Sequence, residues 1–312
     1  THNDVDLPTS TRILMDLIMR IQTINDVRIS KALAIIVLNI LERRKMEFEE
    51  PVVVLTRHLA KIYQNERNWE KAAALLAALP MSYPDRPESV DSSLETYLKI
   101  VRLYLTAKNI DMASFFVLKA SVLQSLTKNE TLQIFYRFCY CRLLDFHKKF
   151  GKAAEKYYEL SHDPCMEDER TKCLNLSMVC TYLASIGESR SRMLAILSRD
   201  KRCPSLKSYS VLKEMTSERI IRLSELDSTE GLLELHQQGE SPGGHGWTIL
   251  ERAIIEHNID VASKFYSNIT FIGLGGLLDI TPDQAEMVAG QMISEGTLSG
   301  CIDQIDSIVL FQ

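Results

Sequence analysis

The chain has 312 residues, 46% of them hydrophobic and 25% charged, with a formal net charge of -5. That length suits one extended domain or two compact ones, and the composition excludes a chain that is disordered overall. The acidic balance gives no global pull toward nucleic acid or an anionic membrane surface.

Thr1 to Asp6 lack the basic start and apolar core of a signal peptide, and the missing initiator Met implies a start inside a longer protein. The longest apolar run, Ala32 to Val37 and on to Leu41, is too short to span a bilayer. Seven cysteines, scattered without a disulfide framework, favour a reducing compartment.

Most of the chain reads as helix, and one unit recurs. Leu59-Ala60-Lys61-Ile62-Tyr63 leads through a polar break to Trp69 and Ala72–Leu76. Leu98 to Tyr104 leads through Lys108-Asn109 to Ala113 and Phe116-Val117-Leu118. Tyr140 to Leu144 leads through His147-Lys148-Lys149 to Phe150 and Ala153-Ala154. A weaker copy runs from Met178 to Leu197. A period of roughly 40 residues is that of stacked helix pairs. Small Ala72, Ala113 and Ala153 at matching places let the second helix approach the first, and Arg192 breaks the series in the fourth copy. The expected fold is mostly α: a TPR-like solenoid over residues 1–235, followed by a winged helix.

Pro80, Pro84 and Pro87 break helix between the first two units, and His162-Asp163-Pro164-Cys165 does so before the fourth. Residues 236–247, with four Gly and one Pro, form the most flexible internal stretch expected and the seam before the last domain, 248–312. There Thr248–Glu256 and Asp260–Tyr266 have helical period, and Asn268-Ile269-Thr270 fits a short strand. Phe271–Leu278 fits a short helix weakened by Gly273, Gly275 and Gly276. Thr281-Pro282-Asp283 is a helix start: a hydroxyl cap, Pro at the first helical position, then an early acid. Leu298 to Phe311 then reads as two strands, the end of a winged helix. No Lys or Arg follows Lys264, while Asp279, Asp283, Glu286, Glu295, Asp303 and Asp306 are acidic. A duplex reader needs cations against phosphate, so this module is expected to bind protein.

Phe271 through Leu274-Gly275 to Leu277-Leu278-Asp279-Ile280, with Ala285-Glu286, Met292-Ile293, Glu295-Gly296 and Gly300 to Gln304, resembles the winged helix of PCI domains. That family serves the proteasome lid, the COP9 signalosome and translation initiation factor three. Leu94 to Ile100, Arg190 to Ala195, Ile255-Glu256-His257-Asn258, Asn268 to Phe271 and Ile302 to Asp306 are most similar to its signalosome members. The resemblance implies a non-catalytic scaffold and substrate-sensing subunit in cytoplasm and nucleus. The signalosome removes the ubiquitin-like modifier NEDD8 from cullin–RING ligases, and the zinc isopeptidase is expected in another subunit. A proteasome-lid or initiation-factor subunit is the alternative, with a nucleic-acid-binding PCI protein as a different class. The family continues past the last wing strand into a C-terminal helix that joins a bundle, so the segment ending at Gln312 is expected to dock weakly there.

Neither Cys139, Cys141 and His147 nor His162 and Cys165 has the paired spacing of a structural zinc site, and no catalytic motif is present, so no cofactor or metal is expected. Three interaction surfaces are expected. Ile308, Val309, Leu310 and Phe311 read as an edge strand for pairing with other signalosome subunits, where the alternative is closure of the local core. Gly239, Pro242, Gly243, Gly244, His245 and Trp247 lie in the loop that the resemblance assigns to the subunit pair holding the metalloprotease; the alternative is a solvated connector. Arg43, Arg44, Lys45, Arg57, Lys61 and Arg67 are candidates for steering the cullin–RING ligase to the N-terminal arm, against the plain alternative of a solvated face.

Overall fold

A computed structural model describes residues 7–44, 47–79, 87–164, 169–222, 230–241 and 246–312. The chain forms two compact units, Thr1–Leu143 and Leu144–Gln312. Among the described residues there are fourteen α-helices and one three-stranded sheet, and no helix is long and apolar enough to cross a membrane.

The first unit contains α1 (Leu7–Thr23), α2 (Val27–Leu41), α3 (Glu49–Asn65), α4 (Trp69–Ala77), α5 (Pro87–Thr106), α6 (Ile110–Gln124) and most of α7 (Glu130–Phe146). Asp26 caps α2 by accepting from the backbone N–H of Arg28 and Ile29, a bond typical of the residue before a first turn. Ile18 and Ile21 of α1, Ala34 of α2, and Leu55 and Leu59 of α3 make one buried cluster. Pro87, expected to mark a helix break between the first two units, stands at that boundary as the first residue of α5, where its missing N–H costs no bond. His162 and Asp163 lie in the turn after residue 160, as expected of a break, while residues 80–86 and Cys165 lie outside the described residues.

The repeat is written most clearly in its turns. Arg67, Lys108 and Lys148 each adopt a left-handed φ near 60°, spaced by 41 and then 40 residues. After each comes the same bond, from the N–H of the next residue to a carbonyl five back: Asn68 to Tyr63, Asn109 to Tyr104 and Lys149 to Leu144. This is the six-to-one bond of a Schellman turn, which satisfies a carbonyl that the helix end would leave unpaired. Asn68 and Asn109 then cap the following helix. Ala72, Ala113 and Ala153 are fully buried, as a close helix approach requires. The fourth copy turns differently, through extended Ala184 and Gly187. There Arg192 is exposed and pairs with Glu155 at 2.5 Å.

The second unit holds α8 (Phe150–Leu160), α9 (Arg170–Leu183), α10 (Glu188–Arg199), α11 (Tyr209–Thr216) and the winged helix. The latter runs α12 (Ile249–Phe265), β1 (Asn268–Thr270), α13 (Phe271–Leu278), α14 (Pro282–Ser294), β2 (Gly300–Asp303) and β3 (Ile308–Phe311). Thr248 with Glu251, and Thr281 with Gln284, close reciprocal capping boxes on α12 and α14. Its core joins Ile255, Phe271, Leu274, Val288, Met292 and Val309. Gly275 does not merely weaken α13: a Cβ there would stand 2.8 Å from the Ile280 carbonyl oxygen, so the α13–α14 turn requires glycine.

The sheet order is β1-β3-β2, both pairs antiparallel. Ile308–Phe311 is therefore the central strand, not the edge strand expected. Val309 faces Ile269 on one side and Ile302 on the other, and it is fully buried. Two short strands flank it: β2, which precedes it directly in sequence, and the sequence-distant Asn268–Thr270, which returns to its far side. The alternation of Leu298–Phe311 reveals two strands without their order.

Candidate interaction surfaces

The open edges belong to β1 and β2. Phe311 N–H donates to Ser267, Phe271 N–H to Ser307, and Gln312 N–H to Ser299. Alternation along an antiparallel ladder then turns the backbone groups of Asn268, Thr270, Gly300 and Ile302 outward. Phe265, Tyr266 and Ile272 bracket β1 and are exposed, Ile272 by 77%. At the wing tip Ile305 is 94% exposed, while Asp303 accepts from the N–H of Ile305 and Asp306. The free edges thus offer a few backbone donors and acceptors framed by apolar side chains, with no cation among the wing residues.

The stem of the 236–247 loop, expected as the most flexible internal stretch, is folded. Gln237 is fully buried; its Nε2 donates to both oxygens of Asp145 at 2.9 and 3.0 Å, and its Oε1 accepts from Glu234 N–H. Asp145, at the end of α7, is itself wholly buried. His236 stacks on Phe146 with centroids 3.9 Å apart, and its Nε2 lies 3.1 Å from Asp145 Oδ2 at an angle that makes no hydrogen bond. Beyond it, Lys148 donates to the Glu240 carbonyl, Glu240 bridges Thr248, Ser241 N–H reaches Trp247, and Ile249 N–H reaches Gly239. Gly239 and Trp247 therefore belong to a tied stem. Pro242, Gly243, Gly244 and His245 lie outside the described residues.

Two of the stretches that carry the family resemblance meet at one junction. Asn258 of α12 is buried and makes two bonds to one residue: it accepts from Ile221 N–H at 2.9 Å and donates to Ile221 C=O at 2.7 Å. This fastens the segment after α11 to the first helix of the winged helix. Beside it Arg190 of α10 is buried, with Nη2 3.5 Å from the Tyr182 carbonyl. Burial pushes its guanidinium down to about 10, against the pull of Glu256 and Asp260. His257 is pushed down to about 4, by burial first and by Arg190 second, so it stays neutral in the fold. Glu256 pairs with Arg252 at 2.6 Å, and Arg252 reaches Gln291 of α14 at 2.9 Å.

The N-terminal cations divide. Arg44 pairs with Glu47 and lies over Phe48, and Arg67 occupies a left-handed turn position. Arg57 and Lys61 project from α3 into a polar cleft, and Arg43 is exposed on the turn after α2. Lys45 lies outside the described residues. Cys139 and Cys141 are buried in α7, with burial pushing the Cys139 thiol up to about 12. His162 is held by the Tyr158 carbonyl and Arg202, and no group of three or more candidate metal ligands occurs among the described residues.

A helical-repeat chain ending in an open-edged winged helix defines a PCI-type protein. Two family models match accordingly: "PSMD12/CSN4, N-terminal" over residues 2–169 and "PCI domain" over 214–312. The chain belongs to the COP9 signalosome complex subunit 4 family. It is 44% identical to the subunit 4 of Drosophila melanogaster over 99% of this chain and 75% of that protein. Identity is 37% to that of Dictyostelium discoideum, over 91% and 72%, and 36% to that of Arabidopsis thaliana, over 99% and 79%.

Proposed function

We propose that this chain is a non-catalytic scaffold and substrate-sensing subunit of the COP9 signalosome, supporting removal of NEDD8 from cullin–RING ligases in cytoplasm and nucleus. The observation that carries this reading is a winged helix with no Lys or Arg after Lys264 and two open sheet edges, in a chain whose relatives bear the name of that complex. The two edges differ in sequence and side chains, so the β1 edge of one PCI subunit meets the β2 edge of another in a heterologous contact. Such contacts extend an arc of unlike subunits rather than closing a symmetric dimer. Isopeptidase chemistry belongs to a separate zinc-bearing subunit. The 236–247 loop serves as the contact to the pair that contains it and restrains its basal activity, and the first unit faces the cullin–RING ligase.

Asn268→Pro tests the edge, because it removes an outward N–H and leaves the bonds to β3 in place. Co-purification with recombinant signalosome subunits should fall while the circular-dichroism spectrum is unchanged; undiminished co-purification contradicts the edge contact. Val309→Pro, although in the same sheet, is the wrong probe because it dismantles the central strand. Deleting Gly239–His245 should raise basal NEDD8 removal by the assembled complex, and an unaltered rate returns the loop to a connector.

A further inference from the structure

The first unit carries a polar cleft of about 700 Å³. Arg57, His58 and Lys61 of α3 and Lys99 of α5 supply its polar groups, Val27 and Val54 part of its apolar wall, and among the described residues no carboxylate lines it. Arg57, Lys61 and Lys99 are exposed, and none takes part in an ion pair among the described residues. Arg57 reaches only the hydroxyls of Ser92 and Thr96, at 3.4 and 3.5 Å. Elsewhere surface lysines find acids: Lys31 with Glu66, Lys156 with Glu159, Lys264 with Glu218. His58 is fixed in the wall. Ser30 gives its one hydroxyl proton to the Ile21 carbonyl at 3.0 Å, so the His58 Nε2–H must donate to Ser30 Oγ at 2.9 Å.

Three cations without an acidic partner among the described residues repel each other around one concavity, and an anionic occupant relieves that cost. We propose that this cleft binds an acidic polypeptide segment, its carboxylates paired with Arg57, Lys61 and Lys99 and its aliphatic carbons against Val27 and Val54. A nucleic acid fits less well. Among the described residues no Phe, Tyr or Trp lines the cleft to stack a base, the His58 ring is held by Ser30, and three cations do not make the extended track that phosphate binding uses. The proposal rests on the reading of the first unit as the partner-facing arm and names the chemistry that arm recognises.

The test is fluorescence anisotropy of the full chain with a labelled peptide of alternating Glu and Leu, against its Gln–Leu counterpart and a short single-stranded RNA. The acidic peptide should bind in preference to both. Raising salt from about 0.05 to about 0.3 M should weaken it, because exposed pairs are screened. The combined variant Arg57→Glu, Lys61→Glu, Lys99→Glu should lose at least ~10-fold in affinity. Reversing Lys201, Lys207 and Lys213 to Glu changes net charge equally on the other unit and should leave affinity within about twofold. All three cleft positions are exposed, so an unaltered unfolding curve should confirm that the variant is folded. Equal losses in the two triple variants, equal binding of the neutral peptide, or preference for RNA overturns the proposal. The peptide assay needs no signalosome partner. Failure there with intact co-purification sinks only the cleft, and the reverse sinks only the signalosome reading.

Discussion

Asn258 is the side chain on which the seating of the winged helix depends most. Both its polar atoms are spent on Ile221, whose N–H and C=O are buried with it. Asn258→Ala removes two hydrogen bonds and orphans two buried backbone groups. At about 1–3 kcal/mol for each unsatisfied group, with some relief from entering water, the expected cost is about 2–5 kcal/mol. Asn258→Asp keeps the acceptor for Ile221 N–H but sets a second carboxylate oxygen against the Ile221 carbonyl. That carboxyl should be driven toward its neutral form, which can donate again and restore both bonds. A raised folded pKa means stability that is present at low pH and lost as pH rises through it, so the Asp variant should lie closer to the parent at pH 5 than at pH 8. The chain has two tryptophans, Trp69 and Trp247, so a Trp69→Phe background makes fluorescence report on the second unit alone. Urea unfolding of that background and its two variants measures the effect. A loss under about 1 kcal/mol for Ala, or a pH-independent deficit for Asp, would refute the clamp.

Other expectations follow from single residues. His257 has a folded value of about 4 against its ordinary 6.5, so the stability it contributes above pH 6.5 is lost as pH falls toward 4. Linkage puts the total near 3 kcal/mol, read from urea unfolding at several pH values and from the His257 imidazole NMR titration. A His257 that titrates near 6.5 contradicts this. Gly300→Ala would drive a Cβ far inside contact distance of the Leu310 carbonyl and should part β2 from β3, costing several kcal/mol, about 3 by analogy with forced backbone strain. Gly276→Ala, exposed in α13 with open space around it, should instead stabilise by about 0.5–1 kcal/mol, both read as thermal midpoints. Asp145→Ala should speed amide exchange at Gln237–Ser241 and Trp247–Ile249 at least ~10-fold without altering α3–α6, since losing the buried bonds to Gln237 frees the stem; unchanged exchange rules out Asp145 as its anchor.

The repeats were legible because they are local. A buried Ala, a polar break and a large apolar residue recur every 40 residues, and the Schellman turns at Arg67, Lys108 and Lys148 sit in those breaks. Thr281-Pro282 likewise announces α14 through the chemistry of one helical turn. What could not be read depends on distance along the chain. Strand alternation identifies Ile308–Phe311 as a strand but is blind to Asn268–Thr270 returning on its other side. Gln237 looked like one more polar loop residue, because its partner Asp145 is 92 positions away. Asn258 lies in a family-like stretch, yet its reason, the bonds to Ile221, appears only when α12 is seen beside the segment after α11. The Pro/Gly composition of residues 236–247 reports backbone freedom and misses the backbone bonds that tie its ends.

Affinity capture of the tagged chain from cells, followed by mass spectrometry of what co-elutes at physiological salt, tests the whole reading most directly. Near-equimolar recovery of the remaining signalosome subunits, with NEDD8-removing activity in the eluate, is the predicted result. Recovery of proteasome-lid or initiation-factor subunits in their place, or of RNA without a signalosome, would contradict it.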